Sequence, residues 1–506
     1  MSEYFIGVDS GTQSTKAIVI DGKNGKILGS ASSSYGFIEG LSSGAKEQHP
    51  KTWVKAMEES IKKAISVSKV KASAIKGIGV SGQQHGFVPL DEKGEVIRPA
   101  KLWCDTSTSS QADSLVNKLG GMDRTVALTG NGIPAGFTAS KIAWLKQNEP
   151  QNFKNLHTVL LPHDYLNFHL TGNRRMEAGD ASGTGFFDVK TRNWSDPVIN
   201  AIDSSLASKL PPISPSGEPS GELKADVAKR LGLDAGIVIS SGGGDNMMAA
   251  IGTGNTKIGM VTASLGTSGT IFAYSSRPVV DPQGEVAAFC DSTGAWLPLI
   301  CTMNVTVATE LFKAAWKWDN DKLTAEAVKI AAGADGLVLL PYFEGERTPN
   351  LPTSSGVFFG LNSRNFTAAH MARATLEGVA LGLNYGLDRL KDLGIRPKQI
   401  RVTGGGSKNP LWRQILADVF DTEVIGLATA EGAAYGAAIQ AKWNYAVANG
   451  ERVRVQQITD DFVKTDASTR ALPNKKNLKL YKSLQAFHNK LSKANAGVFA
   501  DHAAFK

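Results

Sequence analysis

Two copies of one short pattern constrain this chain more than anything else in it: an apolar, strand-like run that empties into a Gly-Thr loop. It stands at Ile6-Gly-Val-Asp-Ser-Gly-Thr-Gln-Ser-Thr-Lys16 and again at Val261-Thr-Ala-Ser-Leu-Gly-Thr-Ser-Gly-Thr270, so Gly11 and Gly266 lie 255 residues apart. Glycine at positions 11, 266 and 269 removes the Cβ that would keep backbone N–H groups from a polyphosphate, and Thr12, Ser14, Thr267 and Ser268 set hydroxyls beside them. Either copy alone also reads as a hairpin turn. Two copies, with the carboxylate of Asp9 at the end of the first apolar run, point to a nucleotide held between two related domains. A hydrated Mg2+ bridging to phosphate gives Asp9 the partner its desolvation demands.

The spacing around these loops predicts an α/β fold. Ile6 to Asp21 reads as two strands about the first loop, Val54, Met57, Ile61 and Ile65 form one helical face, and a strand follows at Ile75 to Ser81. That order implies a mixed or parallel sheet covered by helices. Helical stretches at Thr138 to Asn148 and His163 to Leu170 lie in a long middle section, which returns to a strand at Gly236 to Ser240. Gly252-Thr-Gly254 is a hinge candidate, because the second Gly-Thr strand begins just beyond it and the alternation repeats to a last clear strand at Gln399 to Thr403. With 506 residues, more than one core is required. The expected division is 1–253, 254–485 and a tail from 486. The helix Thr367 to Leu390 and the Gly-Ala run Glu431 to Ala441 read as core.

Charge adds little. The net charge is +8, but residues 451–506 hold 11 Lys/Arg against 5 Asp/Glu. There Leu480, Leu484, Phe487 and Leu491 recur at helical spacing, so the lysines are read as the wet face of an amphipathic helix and no nucleic acid is expected. Cys104, Cys290 and Cys301 show neither Cys-x-x-Cys nor zinc-type spacing, and no run approaches a membrane span. The expectation is a soluble cytoplasmic protein.

Three further loops carry chemistry. Ile237-Val-Ile-Ser-Ser-Gly-Gly-Gly-Asp-Asn246 ends a strand in three glycines and an acid-amide pair before a helix, where ligands of open α/β sheets gather. Asp245 fits a helix N-cap, but as a base it would accept the proton of a hydroxyl attacking phosphorus, with Asn246 on the neighbouring hydroxyl. Ile400-Arg-Val-Thr-Gly-Gly-Gly-Ser-Lys-Asn-Pro410 replaces the acid by Ser407 and Asn409, which suits a nucleoside and its α-phosphate, with Asn409 also an N-cap. Ser81-Gly-Gln-Gln-His-Gly86, with Trp103 and Asp105 after it, offers the amides, imidazole and aromatic face of a polyhydroxylated-ligand site or a structural turn. P-loop and dinucleotide fingerprints are absent.

In this order the loops resemble those of the FGGY carbohydrate kinases. Two signatures carry the likeness: Gly136-Phe-Thr-Ala-Ser-Lys-Ile-Ala-Trp-Leu-Lys-Gln-Asn148, and Gly356-Val-Phe-Phe-Gly-Leu361 continuing to His370-Met-Ala-Arg-Ala-Thr-Leu-Glu377. The resemblance implies two actin-like ATPase (ribonuclease H-like) domains with a nucleotide and sugar cleft between them. The loops, with Leu-Pro-His-Asp-Tyr-Leu166 and Leu340-Pro-Tyr-Phe-Glu-Gly-Glu-Arg-Thr-Pro349, look most like the xylulose-phosphorylating branch. That implies ATP- and Mg2+-dependent phosphorylation of D-xylulose at its terminal hydroxyl, with ribulose, gluconate or glycerol as alternative acceptors and a non-enzymatic actin-like nucleotide-binding protein as the more distant one. It implies Asp245 as proton acceptor, Gln84, His85 and Asn246 on the ketose, and Asp9 orienting Mg2+ through water. Gly11, Thr12, Gly266 and Thr267 would face the phosphates, and Gly405, Gly406 and Asn409 the adenosine. A homodimer is the family-level expectation. Gln84 stands where many members of that branch carry methionine, and Cys104-Asp-Thr-Ser107 where they carry Asn-Asp-Gly-Arg. Arg347 in the Gly-Glu-Arg-Thr-Pro segment invites a phosphate-clamp role but has no assigned one.

Overall fold

The computed structural model describes residues 2–429 and 431–505. Two sheets organise it. In the first, β1 (Tyr4–Ser10) pairs antiparallel with β2 (Ser14–Asp21), β2 antiparallel with β3 (Ile27–Ser34), and β4 (Ile75–Gly82) runs parallel to β1 on its other side. The short β5 (Gly243–Gly244) and the pair Val238–Ile239 both lie parallel to β4. In the second sheet, β6 (Met260–Leu265) pairs antiparallel with β7 (Gly269–Ala273), β7 antiparallel with β8 (Leu299–Thr302), and β9 (Gln399–Thr403) runs parallel to β6. Beyond β9 come β10 (Glu423–Leu427), parallel to it, and the antiparallel edge strand β11 (Thr465–Ala471). The duplication of the Gly-Thr loops is thus a duplication of whole sheets: each loop is the hairpin between the first two strands of its own sheet.

Helix α1 (Pro50–Ser68) buries Trp53, Met57 and Ile61 against Ile6, Val8, Ala17 and Val19 on one face of the first sheet. α2 (Asp245–Gly252) follows β5 directly. The second sheet is covered by α3 (Thr306–Trp316), α4 (Ala368–Asp392) and α5 (Pro410–Phe420), whose Phe312, Leu376, Leu383, Leu387 and Trp412 pack on Val261, Ala263 and Ile271. α6 (Ala433–Ala448) comes late in the chain yet crosses back to the first sheet. There it joins α2 in covering Phe5, Ile18 and Ile20. It lies against the strands because Gly7 and Gly79 face it without side chains, and α2 crosses it where Gly252 meets Gly432 and Gly436. A Cβ on Gly436 would land on the Met248 carbonyl, so two helix backbones touch at this crossing. Gln440 fastens it, donating to Gly242 O and accepting from Ser240 Oγ.

Several expectations are corrected. The strand at 236–240 pairs only at Val238–Ile239, because Gly236 enters it in the left-handed region (φ 81°). β9 is not the last strand; β11 escaped notice because Thr-Asp-Ala-Ser-Thr-Arg-Ala is a polar edge with no apolar run. α7 (Lys475–His502) runs unbroken past 485, and its far half buries Leu491 and Phe499 against Tyr342. Its inner face takes only half of the leucine stripe: Leu484 and Leu491 pack inward, Leu480 and Phe487 are exposed, and Tyr481, Gln485 and His488 are buried in their place. Hydrogen bonds choose that face, Tyr481 Oη donating to Glu377 Oε1 and Gln485 Nε2 to Leu381 O. The three cysteines are free thiols. No helix among the described residues is long and apolar enough to cross a membrane.

Candidate active site

Strand register brings the two sequence-predicted acids together. Asp9 on β1 stands opposite Ser81 on β4, and Gly243 on β5 stands opposite the same Ser81 from the other side, so Asp9 and Asp245 flank the carboxyl end of β4. Ser81 Oγ donates to Asp9 Oδ1 at 2.9 Å. Asp245 is the first residue of α2, with Gly244 as N-cap, so it is not the cap itself. Its Oδ1 accepts from Asn246 N at 2.7 Å and Asn246 Nδ2 at 2.8 Å, and the same Nδ2 reaches Gln84 Oε1 at 2.9 Å. The glycines before it are needed for packing, since a Cβ on Gly244 would collide with the Gln84 side chain.

Burial sets the charge state of this pair. Desolvation, and then the negative charge of Asp9, push Asp245 up to about 7. Desolvation, offset in part by the Ser81 hydroxyl, raises Asp9 to about 6. A carboxyl held near neutrality is a matched proton acceptor for an alcohol.

Beside Asp245 opens a cavity of about 990 Å3, lined from the first half by Gln84, His85, Trp103 and Phe137 and from the second by Thr270, Phe289, Cys301 and Arg347. His85 sits at the turn after β4 with φ 64° and lies against Phe137 at 4.5 Å between ring centres. Gly183 O can only accept, so His85 Nδ1 carries the proton of their 2.9 Å bond and Nε2 is left as an acceptor. Burial, aided by the charges of Lys141 and Arg347, drives the imidazole down to about 3, so it stays neutral. Lys141, from the first family-like signature, is fully buried and donates to the carbonyls of Ala135, Gly136 and Phe137, clamping the loop that forms one cavity wall. Asp105 departs from expectation. Its carboxylate is buried away from the cavity, accepting from Lys101 Nζ at 3.2 Å, Ser107 Oγ at 2.6 Å and Lys46 N at 2.9 Å, in a buried charge group that Lys101 shares with Glu47.

The second Gly-Thr loop lines this cavity through Ser268 and Gly269, and the first is tied to its wall at Trp103. Gly11 N is spent on Ser14 O, closing the β1–β2 hairpin, and a Cβ on Gly11 would meet only Ser14 O within 4 Å. Thr12 ties the loop to the cavity wall, accepting from Trp103 Nε1 at 3.0 Å and donating to Gln83 Oε1 at 3.4 Å. Gly266 and Thr267 are held from behind, their carbonyls accepting from Thr306 N and Val305 N at the start of α3. Gly405 faces open space, whereas Gly406 is turned inward against Trp412. Asn409 caps α5 by accepting from Trp412 N and donates to Thr324 Oγ1, so both ends of its amide are committed.

Residues that sequence reasoning left out complete the cleft. Lys16 stands opposite Asp9 across the β1–β2 pair and forms an ion pair with Glu431, just ahead of α6. Its position seven residues after Asp9, on the same face of the hairpin, was the available signal. Asp180, buried and bonded to His163 Nδ1 at 2.6 Å, lies behind Gln84. Among the described residues no cluster of three or more His, Cys, Asp and Glu could hold a metal alone. A hard cation beside Asp9 would therefore complete its shell with phosphate oxygens and water, and the buried carboxylate with a single serine donor fits that need.

Comparison with known proteins places the chain in a family. Residues 4–252 match the N-terminal domain, and residues 261–445 the C-terminal domain, of the FGGY family of carbohydrate kinases. The chain is 41% identical over 485 residues to the xylulose kinase of Haemophilus influenzae, covering 95% of this chain and 97% of the relative, and 34% identical over 489 residues to that of Bacillus subtilis, covering 95% of each. A xylulose kinase structure from Bifidobacterium adolescentis superposes with a TM-score of 0.81 at 31% identity, covering 96% of this chain and 99% of that one. A gluconate kinase structure from Lactobacillus acidophilus shares the fold at 24% identity, with a TM-score of 0.90 and coverage of 99% and 100%. The paired sheets, the two Gly-Thr hairpins facing one cleft and the acid at the head of α2 are an actin-like ATPase fold, and the chain belongs to the FGGY family of carbohydrate kinases.

Proposed function

We propose that this protein transfers the terminal phosphoryl group of ATP to the terminal hydroxyl of D-xylulose, with Asp245 as the proton acceptor. The reaction class follows from the family: a phosphotransferase with an alcohol group as acceptor. The observation that carries the base assignment is a carboxylate raised to about 7 that lines the interdomain cavity beside Asp9 at the end of the first sheet's strands. Support for the sugar comes from the relatives named xylulose kinases along nearly the whole chain.

In this reading His85 Nε2 accepts a sugar hydroxyl, Asn246 and Gln84 fix the hydroxyls beside the reacting one, and Trp103 supplies an apolar face. Asp245 takes the proton of the attacking oxygen as its bond to phosphorus forms. Gly11, Thr12, Gly266, Thr267 and Gly405 would lie along the nucleotide, Asp9 beside a hydrated Mg2+, and the bound magnesium nucleotide supplies the phosphoryl group and the positive charge that offsets its oxygens. The protein's contribution is orientation and exclusion of water, which would otherwise take the phosphoryl group.

Two measurements test this. Initial rates of ADP release over a panel of ketoses and polyols should give the highest kcat/KM for D-xylulose; a higher value for ribulose, gluconate or glycerol overturns the substrate assignment and leaves the chemistry. The profile of kcat/KM against pH, at sub-saturating nucleotide, should fall on the acid side with a midpoint near 7, because protonated Asp245 cannot accept. Asp9→Asn removes the negative neighbour that raises Asp245, so its residual activity should show that midpoint moved to lower pH; an unmoved midpoint removes the coupling.

A further inference from the structure

Arg347 enters the same cavity from the second half of the chain and is exposed there. Among the described residues no carboxylate lies within ion-pairing distance of its guanidinium, and its side chain rests against the Cys301 thiol. Its charge reaches His85 on the opposite wall strongly enough to help keep that imidazole neutral. An arginine with five N–H donors and no acid partner, facing a neutral acceptor nitrogen across a cavity, wants a ligand rich in acceptor oxygen.

The backbone under Arg347 is rigid. The buried Glu346 carboxylate accepts from Arg347 N and Met303 N at 2.8 Å each and from Asn304 Nδ2 at 3.1 Å. Asn304 in turn accepts from Glu344 N and donates to Gly345 O. The next two residues, Val305 and Thr306, hold the carbonyls of Thr267 and Gly266. One four-residue segment, 303–306, therefore fastens both the second Gly-Thr hairpin and the Arg347 loop, and neither can shift without the other.

Substrate chemistry gives the donor a target. A 2-ketopentose closes its five-membered ring through the C5 hydroxyl, so that hydroxyl is free to attack phosphorus only in the open-chain form. The open chain exposes the C2 carbonyl, an oxygen that only accepts. We propose that Arg347 is a specificity-determining residue that binds the C2 carbonyl of the open-chain ketose opposite His85, selecting ketoses over the alditols of the same carbon skeleton. A hydroxyl at C2 presents its own proton and loses part of that match.

This rests on the ketose-kinase reading, and one set of measurements separates the two. Wild-type enzyme and Arg347→Ala are compared by ADP release with D-xylulose and by calorimetric Kd for D-xylulose and for xylitol and D-arabitol, the two products of reducing its C2. Absence of wild-type turnover with D-xylulose removes the reading itself. With wild-type turnover established, the variant should lose about 10- to 100-fold in affinity for D-xylulose, the scale of a hydrogen bond to a charged group, and under about fivefold for either alditol. Its thermal midpoint and its KM for ATP should not change, since the side chain is exposed and outside the nucleotide loops. Equal losses for ketose and alditols, no loss for either, or a rise in the KM for ATP with sugar affinity intact each overturns the assignment.

Discussion

Asp245→Asn should fold, bind ATP and D-xylulose with near wild-type Kd, and lose about a thousandfold or more in kcat. The substitution keeps the shape of the side chain and an oxygen able to accept from Asn246, so the head of α2 and the Gln84 contact persist. What disappears is the proton acceptor, whose contribution in general base catalysis is about 100- to 10,000-fold. Because an interaction made only on the way to the transition state is removed, kcat and kcat/KM should fall together. Turnover within tenfold of wild type would remove Asp245 from the base role. A large rise in the KM for the sugar with kcat intact would make it a binding group instead.

Gly436→Ala should cost the folded protein about 3 kcal/mol or more, a large effect for one methyl group. The added carbon has no side chain to push aside: it meets the Met248 carbonyl and the backbone N of Gly252 on α2, so a whole helix must move. α2 begins with Asp245, and its displacement should disturb the site as well as stability. Gly497→Ala is the matched control, since its Cβ would meet nothing within 4 Å inside the C-terminal part of α7. There alanine should raise the thermal midpoint slightly, by the usual gain of replacing a helical glycine. Comparable midpoints for the two variants would mean that the α2–α6 crossing is looser than its geometry indicates.

What could be read from the sequence divides along a physical line. Features carried by local backbone chemistry were legible: the hairpins around Gly11 and Gly266, the helix starting at Asp245, the N-cap at Asn409 and the long buried helix α4. Each follows from residues adjacent in the chain. Features settled by partners far away were not. Asp105 looked like a sugar ligand because nothing near it showed that its carboxylate would be taken up by Lys46 N, 59 residues upstream, beside the buried Lys101–Glu47 pair. The inner face of α7 was only half legible, at Leu484 and Leu491, because leucine spacing predicts burial by oil alone, whereas Tyr481 and Gln485 are drawn inward by Glu377 and Leu381, about a hundred residues upstream. Arg347 stood out as a charge without a place, and only the cavity gave it one. Gln84 takes a defined task once its oxygen is seen to receive the Asn246 amide.

The return of α6 to the first sheet has a consequence for biosynthesis. Phe5, Ile18 and Ile20 leave the ribosome long before the helix that shelters them, which is not finished until residue 448. Until residue 448 has been made the nascent protein carries an apolar sheet face that is only partly covered, a state prone to self-association. A gene fragment ending near residue 253 would make that state permanent, so its product should be sticky and dependent on chaperones, whereas supplying the missing helix in trans offers a way to rescue it.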